Sequence, residues 1–222
     1  FRHPPLASAG GIFFGKDRLP PFGAMKKSPV YCIVLTAMMS ALAAVLLLFE
    51  FPIFPATPWL KLNISDMPAL LTAFLLNPWL GVAVGLIRIL LFLLIQGTGT
   101  AFIGELSNLI IVISFVLPAG YLFRIRKNLT SALIGLIVGS VCMVIAATLT
   151  NVYILLPLYD DIVPPESIPA LIPPTILFNV IKAVATSAVT MALCAVLKRT
   201  LPGIWPAEKK LSLIHISEPT RH

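Results

Sequence analysis

Residues 129–156 read LTSALIGLIVGSVCMVIAATLTNVYILL, an apolar run without one charged side chain. A helix at the surface of a soluble protein needs a polar face, so a run that is apolar on every side needs hydrocarbon or protein around it. About 20 such residues cross the ~30 Å core of a bilayer as a helix. The whole chain repeats this character. Of its 222 residues 58% are hydrophobic and 11% charged, with mean hydropathy +0.98; a soluble domain carries roughly 25% charged residues. In hydrocarbon every backbone N–H and C=O must be paired internally, which leaves helices or a closed barrel. A barrel shows alternating segments of about ten residues, and these runs are continuous. The sequence therefore predicts an all-α, six-transmembrane-helix bundle.

Working outward, the first span is expected over Val30–Phe49, ending at Glu50 and the segment FPIFPATPWLKLNIS, where Pro52, Pro55 and Pro58 forbid a regular helix. A short apolar stretch, Asp66–Leu76, follows and breaks at Asn77-Pro78. As a helix it covers only ~18 Å, so it tilts or ends early. Further spans are expected over Trp79–Ile95, Ala101–Phe123, Leu129–Leu156 and Pro173–Leu197. Basic groups then set the orientation. Lys26 and Lys27 precede the first span, Arg124, Arg126 and Lys127 follow the fourth, and Lys198, Arg199, Lys209 and Lys210 follow the sixth. Six crossings place all of them on one side, the cytoplasm, with both termini. The loop with Asp160, Asp161 and Glu166 falls outside.

The net charge of +7 is spread as these orienting groups and forms no basic face for nucleic acid. Cys32, Cys142 and Cys194 stand singly inside expected helices and read as packing residues. Residues 1–24 are rich in Pro and Gly and precede Met25-Lys26-Lys27, so Met25 is the expected initiator and 1–24 a non-native or untranslated leader. Residues 211–222, LSLIHISEPTRH, resemble a translated sequencing adapter and read as read-through. Residues 25–210 remain as one membrane-embedded domain. Gly10, Gly15 and Lys16 match part of a phosphate loop, but Asp17 stands where Ser or Thr is needed and no strand precedes.

A charge at the centre of a membrane helix costs about 2.5–3.5 kcal/mol on insertion scales, so ionisable groups there are functional candidates. Lys182 and Asn179 lie inside the sixth span at a spacing that puts both on one face. Glu105 and Asn108 do the same near the outer end of the fourth, and Asn151 lies in the outer half of the fifth. Amides pair a donor with an acceptor, and Lys supplies three donors. Such a set suits a flat heteroaromatic ligand with imide-like edges between apolar walls. The structural alternative is that Lys182 pairs with Glu105 while the asparagines bridge helices. Arg88, midway along the third span, snorkels, pairs with a carboxylate, or meets a partner. Small residues recur four apart at Ala37/Ala41, Gly81/Gly85 and Gly135/Gly139, a spacing that lets helices approach closely. An intramembrane enzyme would need a nucleophile–base pair or a metal cluster; no such motif, and no catalytic or metal-ligating residue, stands out. His3, His215 and His222 all lie in the doubtful ends.

Several segments, in order, resemble the riboflavin-specific (RibU-type) S components of energy-coupling factor (ECF) vitamin transporters. They are FEFPIFPATPWLKLNISDMPALLTAFLLNPWLGVAVGLI, GTGTAFIGELSNLIIVISFVLPAGYLF, TLTNVYILLPLY and FNVIK, spanning most of the chain from Met25 to about Pro202. The resemblance implies a six-helix bundle whose proline-rich loop, residues 51–65, caps an outward-facing riboflavin site. It implies that Asn151, Asn179 and Lys182 hold the ring, and that Glu105, Asn108, Thr98 and Thr100 approach the ribityl chain. Ala37 and Ala41 match the motif that docks on a transmembrane coupling protein (EcfT), which works with two ABC-type ATPase subunits. No cofactor is implied, since riboflavin is cargo. The chain departs from the family at Gly85-Leu86-Ile87-Arg88-Ile89, where an acidic residue and I-K-N are usual, at Asn63 for a common Asp, and at Asn77 for a common Gly. Rival readings are an S component for another vitamin or a flavin precursor (FMN, lumichrome, a thiamine-like ligand), or a non-transport membrane protein.

Overall fold

The computed structural model describes residues 28–53, 60–97, 102–155, 168–201 and 205–206. The leader 1–24, Met25, Lys26, Lys27, the middle of the proline-rich segment (54–59), Thr98, Thr100, Asp160, Asp161, Glu166, Lys209, Lys210 and the tail 211–222 lie outside the described residues. Six α-helices follow one another: α1 (Pro29–Leu48), α2 (Met67–Leu75), α3 (Pro78–Gln96), α4 (Ile103–Arg126), α5 (Leu129–Thr150) and α6 (Ile168–Thr200). A π-helical turn, Asn151–Leu155, extends α5. Between α1 and α2 two short antiparallel strands, β1 (Phe51–Pro52) and β2 (Lys61–Leu62), pair Phe51 with Leu62.

Local chemistry sets these boundaries. Ser28 accepts a hydrogen bond from the Tyr31 N–H ahead of Pro29, and Asn77 does the same for Trp79 ahead of Pro78. Asn128 and Ser131 form a reciprocal capping box that starts α5 directly after the left-handed Lys127 ends α4. The sixth helix starts earlier than expected, at Ile168, with Pro173 and Pro174 inside it. Each proline removes one backbone bond. Both losses fall near the helix N-terminus, and the helix continues to Thr200.

Five of the six helices are long and apolar enough to cross a membrane. Their outward faces remain apolar: Leu94 is 82% exposed, and Ile33, Met38, Ile137 and Val184 all exceed half. So much bare apolar surface needs lipid against it. The exception is α2, whose nine residues are all buried against α1, α3, α4 and α6. Its N-terminal Asp66 reaches Arg88, near the middle of α3, so α2 starts at about half depth. The segment Leu60–Asp66, at about 3.3 Å per residue, supplies the other half of the crossing. Irregular backbone survives at that depth only inside protein or along a cavity, and Leu60, Asn63, Ser65 and Asp66 are buried. The six crossings required by the charge pattern are thus five long helices plus one composite.

The glycine pairs bind the bundle from within. A Cβ on Gly81 would stand 2.6 Å from the Ala69 carbonyl oxygen, and one on Gly85 would meet Val112. On Gly135 and Gly139 it would stand 2.5 and 2.7 Å from the carbonyl oxygens of Ala119 and Phe115. These residues let α3 lie on α2 and α4, and α5 on α4. Ala37 and Ala41 differ, being exposed on the outer face of α1. At the basic end Trp205 stacks edge-on against Phe123 at 5.5 Å and donates its indole N–H to the Lys127 carbonyl.

Candidate functional site

A cavity of about 470 Å³ opens among the helix ends opposite Arg124, Arg126, Lys198 and Arg199. Glu50 and Leu47 come from the end of α1, Lys61 and Asn63 from the re-entering segment, and Gln96 and Gly97 from the end of α3. The start of α4 gives Gly104, Glu105, Ser107 and Asn108, the end of α5 gives Asn151, and α6 gives Phe178, Asn179 and Lys182. Gly97 closes α3 at φ 73°, a left-handed conformation that glycine adopts without steric cost. The five polar residues expected from sequence in the described region, Asn151, Asn179, Lys182, Glu105 and Asn108, all line this one space. Thr98 and Thr100 lie outside the described residues.

The two buried amides are oriented by their own helices. Asn151 donates one N–H to the Ala147 carbonyl at 2.8 Å, and Asn179 one to Thr175 at 2.9 Å. Among the described residues each amide keeps one donor and its carbonyl acceptor unused. Phe92 and Phe178 with Leu47, Leu60, Ile89 and Ile111 supply apolar surface. Ser107 Oγ is buried in the same wall with no partner among the described residues. At the mouth Lys61 and Glu50 form an ion pair of 2.7 Å that ties β2 to the end of α1.

The deepest part holds a group that the sequence reading missed. Asp66 is 1% exposed, and its Oδ1 accepts from Arg88 Nη1 at 2.6 Å. Its Oδ2 lies 3.4 Å from Lys182 Nζ. Arg88, 3% exposed, also donates to Ser65 Oγ at 2.7 Å, and Ser65 in turn donates to Asn63 Oδ1 at 2.6 Å. Arg88 therefore takes the carboxylate pairing among its three sequence readings, and Lys182 pairs with Asp66. Asn63 serves as an acceptor, which an amide supplies as well as a carboxylate. Asp66 was legible only as the head of a short apolar helix, yet it makes no cap hydrogen bond there. The available signal was Arg88 itself, since a lone cation at mid-membrane demands a counter-charge.

Glu50, Lys61, Glu105 and Lys182 line the cavity, and Asp66 and Arg88 stand behind its deep wall. Among the described residues these are three acids and three bases, in balance.

A model of the family described as "ECF transporter, substrate-specific component" matches residues 32–194. The riboflavin transporter FmnP of Bacillus subtilis is 33% identical over 129 residues, 57% of this chain and 67% of that protein. The riboflavin transporter RibU of Staphylococcus aureus is 32% identical over 167 residues, 72% and 87%. A solved S component of a bacterial ECF transporter superposes with TM-score 0.66 at 31% identity, over 78% of this chain and 98% of that one. ThiT from Listeria monocytogenes superposes at 0.53 and 18% identity, over 80% and 98%, a likeness of fold alone.

Proposed function

The chain belongs to the substrate-specific components of ECF transporters, and from that premise we propose that its cavity takes riboflavin from outside the cell. As a member of that family it is a multi-pass membrane protein that binds cargo and performs no chemistry on it. The observation that carries the choice of ligand is the pairing of two pinned amides, Asn151 and Asn179, with Lys182 and the aromatic side chains of Phe92 and Phe178 in one cavity. Its volume falls in the range of about 300–1,000 Å³ common for small-molecule sites.

Each ring contact follows from the inventory of free groups. The imide-like edge of an isoalloxazine alternates C=O and N–H, which a primary amide matches with one donor and one acceptor. Lys182 donates to a ring carbonyl, and Glu105, Asn108 and Ser107 face the ribityl hydroxyls. The balanced charge of the described residues favours an uncharged vitamin. It weighs against FMN, whose phosphate would bring negative charge that the described lining does not balance, and against a cationic thiamine-like ligand. The riboflavin names of relatives near 30% identity agree with this choice.

Inward delivery then requires partners: a transmembrane coupling protein (EcfT) and two ABC-type ATPase subunits. The exposed Ala37/Ala41 face of α1 is the proposed contact with the coupling protein, because small residues there admit a second helix closely. A riboflavin fluorescence-quenching titration tests the ligand, with FMN, lumichrome and thiamine as competitors. Tight quenching that FMN and thiamine fail to reverse supports the reading. Well-folded protein that leaves riboflavin fluorescence unchanged would refute it.

A further inference from the structure

Arg88 does not line the cavity, yet it shares a carboxylate with a residue that does. Its guanidinium holds Oδ1 of Asp66 at 2.6 Å, while Lys182 Nζ stays 3.4 Å from Oδ2. An ammonium alone with a buried carboxylate closes to about 2.7–2.9 Å. The short hydrogen bond on this carboxylate is thus made by Arg88, while Lys182 stands at ion-pair distance and Oδ2 has no hydrogen-bond partner among the described residues. Two cations face one carboxylate in this cluster, so the Lys182 ammonium retains unmet hydrogen-bonding capacity where the cavity begins.

We propose that Arg88 is a positioning residue: by occupying Asp66 it keeps Lys182 available to the ligand. The inference rests on the cavity being a ligand site contacted by Lys182, and it goes beyond that reading by assigning control of the contact to a side chain outside the cavity. Replacing Arg88 by a neutral residue leaves Asp66 to Lys182 alone. The ammonium then contracts onto the carboxylate, and the ligand loses its charged donor without any change in the residues it touches. The Asn63–Ser65–Arg88 chain of hydrogen bonds gives the same Nη1 a second partner and fixes the guanidinium beside Asp66.

The test is a double-mutant cycle with Arg88→Gln, Lys182→Met and the double variant, read by riboflavin Kd. A charge-assisted hydrogen bond is the contact at stake, so Arg88→Gln is expected to weaken binding about tenfold or more. In the Lys182→Met background the same change is expected to have almost no effect. Arg88→Lys, which keeps the charge, is expected to recover most of the affinity. Equal losses in both backgrounds mean that Arg88 acts on the fold or the ligand directly, and overturn the inference. If riboflavin does not bind the parent protein, the ligand assignment fails separately, and melting temperatures of the same ligand-free variants decide this one. Lys182→Met is expected to be neutral or stabilising in the parent and destabilising beside Arg88→Gln, where Lys182 has become the sole counterion. Identical shifts in the two backgrounds overturn it.

Discussion

Truncating Asn179 to alanine separates ligand binding from folding at the centre of the proposed site. The side chain is 2% exposed, on α6, and one amide N–H is held by the Thr175 carbonyl one turn earlier. The remaining N–H and the carbonyl can make two hydrogen bonds to an imide edge, one in each direction. Each is worth about 0.5–1.5 kcal/mol net, so their joint loss costs the complex about 2 kcal/mol. At 1.4 kcal/mol per decade that is a roughly 30-fold rise in Kd. The ligand-free protein should barely notice. Alanine is the better helix former, and the bond removed runs within a single helix. Fluorescence titration beside a thermal melt reads both quantities. A Kd within about threefold of the parent would refute the assignment of this amide to the ring edge. A large fall in melting temperature without ligand would show that Asn179 serves packing instead.

Gly139→Leu should destabilise the fold by about 1–3 kcal/mol or prevent it, because its Cβ would meet the Phe115 carbonyl; a melting curve or gel-filtration profile in detergent checks this. Trp205→Ala should lower stability by about 3–5 kcal/mol, since the indole is 8% exposed and packs on Phe123. Ala41→Leu should leave riboflavin binding unchanged while reducing co-purification with the coupling protein; undiminished co-purification would remove this face from the interface. Asp66→Asn should destabilise by about 3–5 kcal/mol, because two buried cations lose their shared counter-charge. A thermal melt resolves a change of that size.

The bundle itself was legible because bilayer solvation acts on local sequence. An apolar run such as 129–156 declares a span without reference to any neighbour, and basic clusters orient spans by their position alone. The same logic exposed Asn151, Asn179 and Lys182, since a polar group in such a run is conspicuous. Their convergence on one cavity, together with Glu105 and Asn108, agrees with the helix-face reading. The composite second crossing was less legible, as its outer half is irregular backbone held by Arg88 of α3 and Lys182 of α6, and no local pattern announces such partners.

What only tertiary structure decided is who pairs with whom. Whether Arg88 snorkels, meets a partner or finds a carboxylate depends on Asp66, 22 positions away in sequence and brought to the same depth by the half-length of α2. The glycine pairs divide from the alanine pair for a similar reason. All three share one spacing in sequence, but only the packed bundle shows Gly81, Gly85, Gly135 and Gly139 facing inward and Ala37 and Ala41 facing out. Hydrophobicity is a property each residue carries alone, so sequence determines membrane, helices and orientation. An ion pair or a close helix contact is a property of two residues in space, and it comes into being only when the chain has folded.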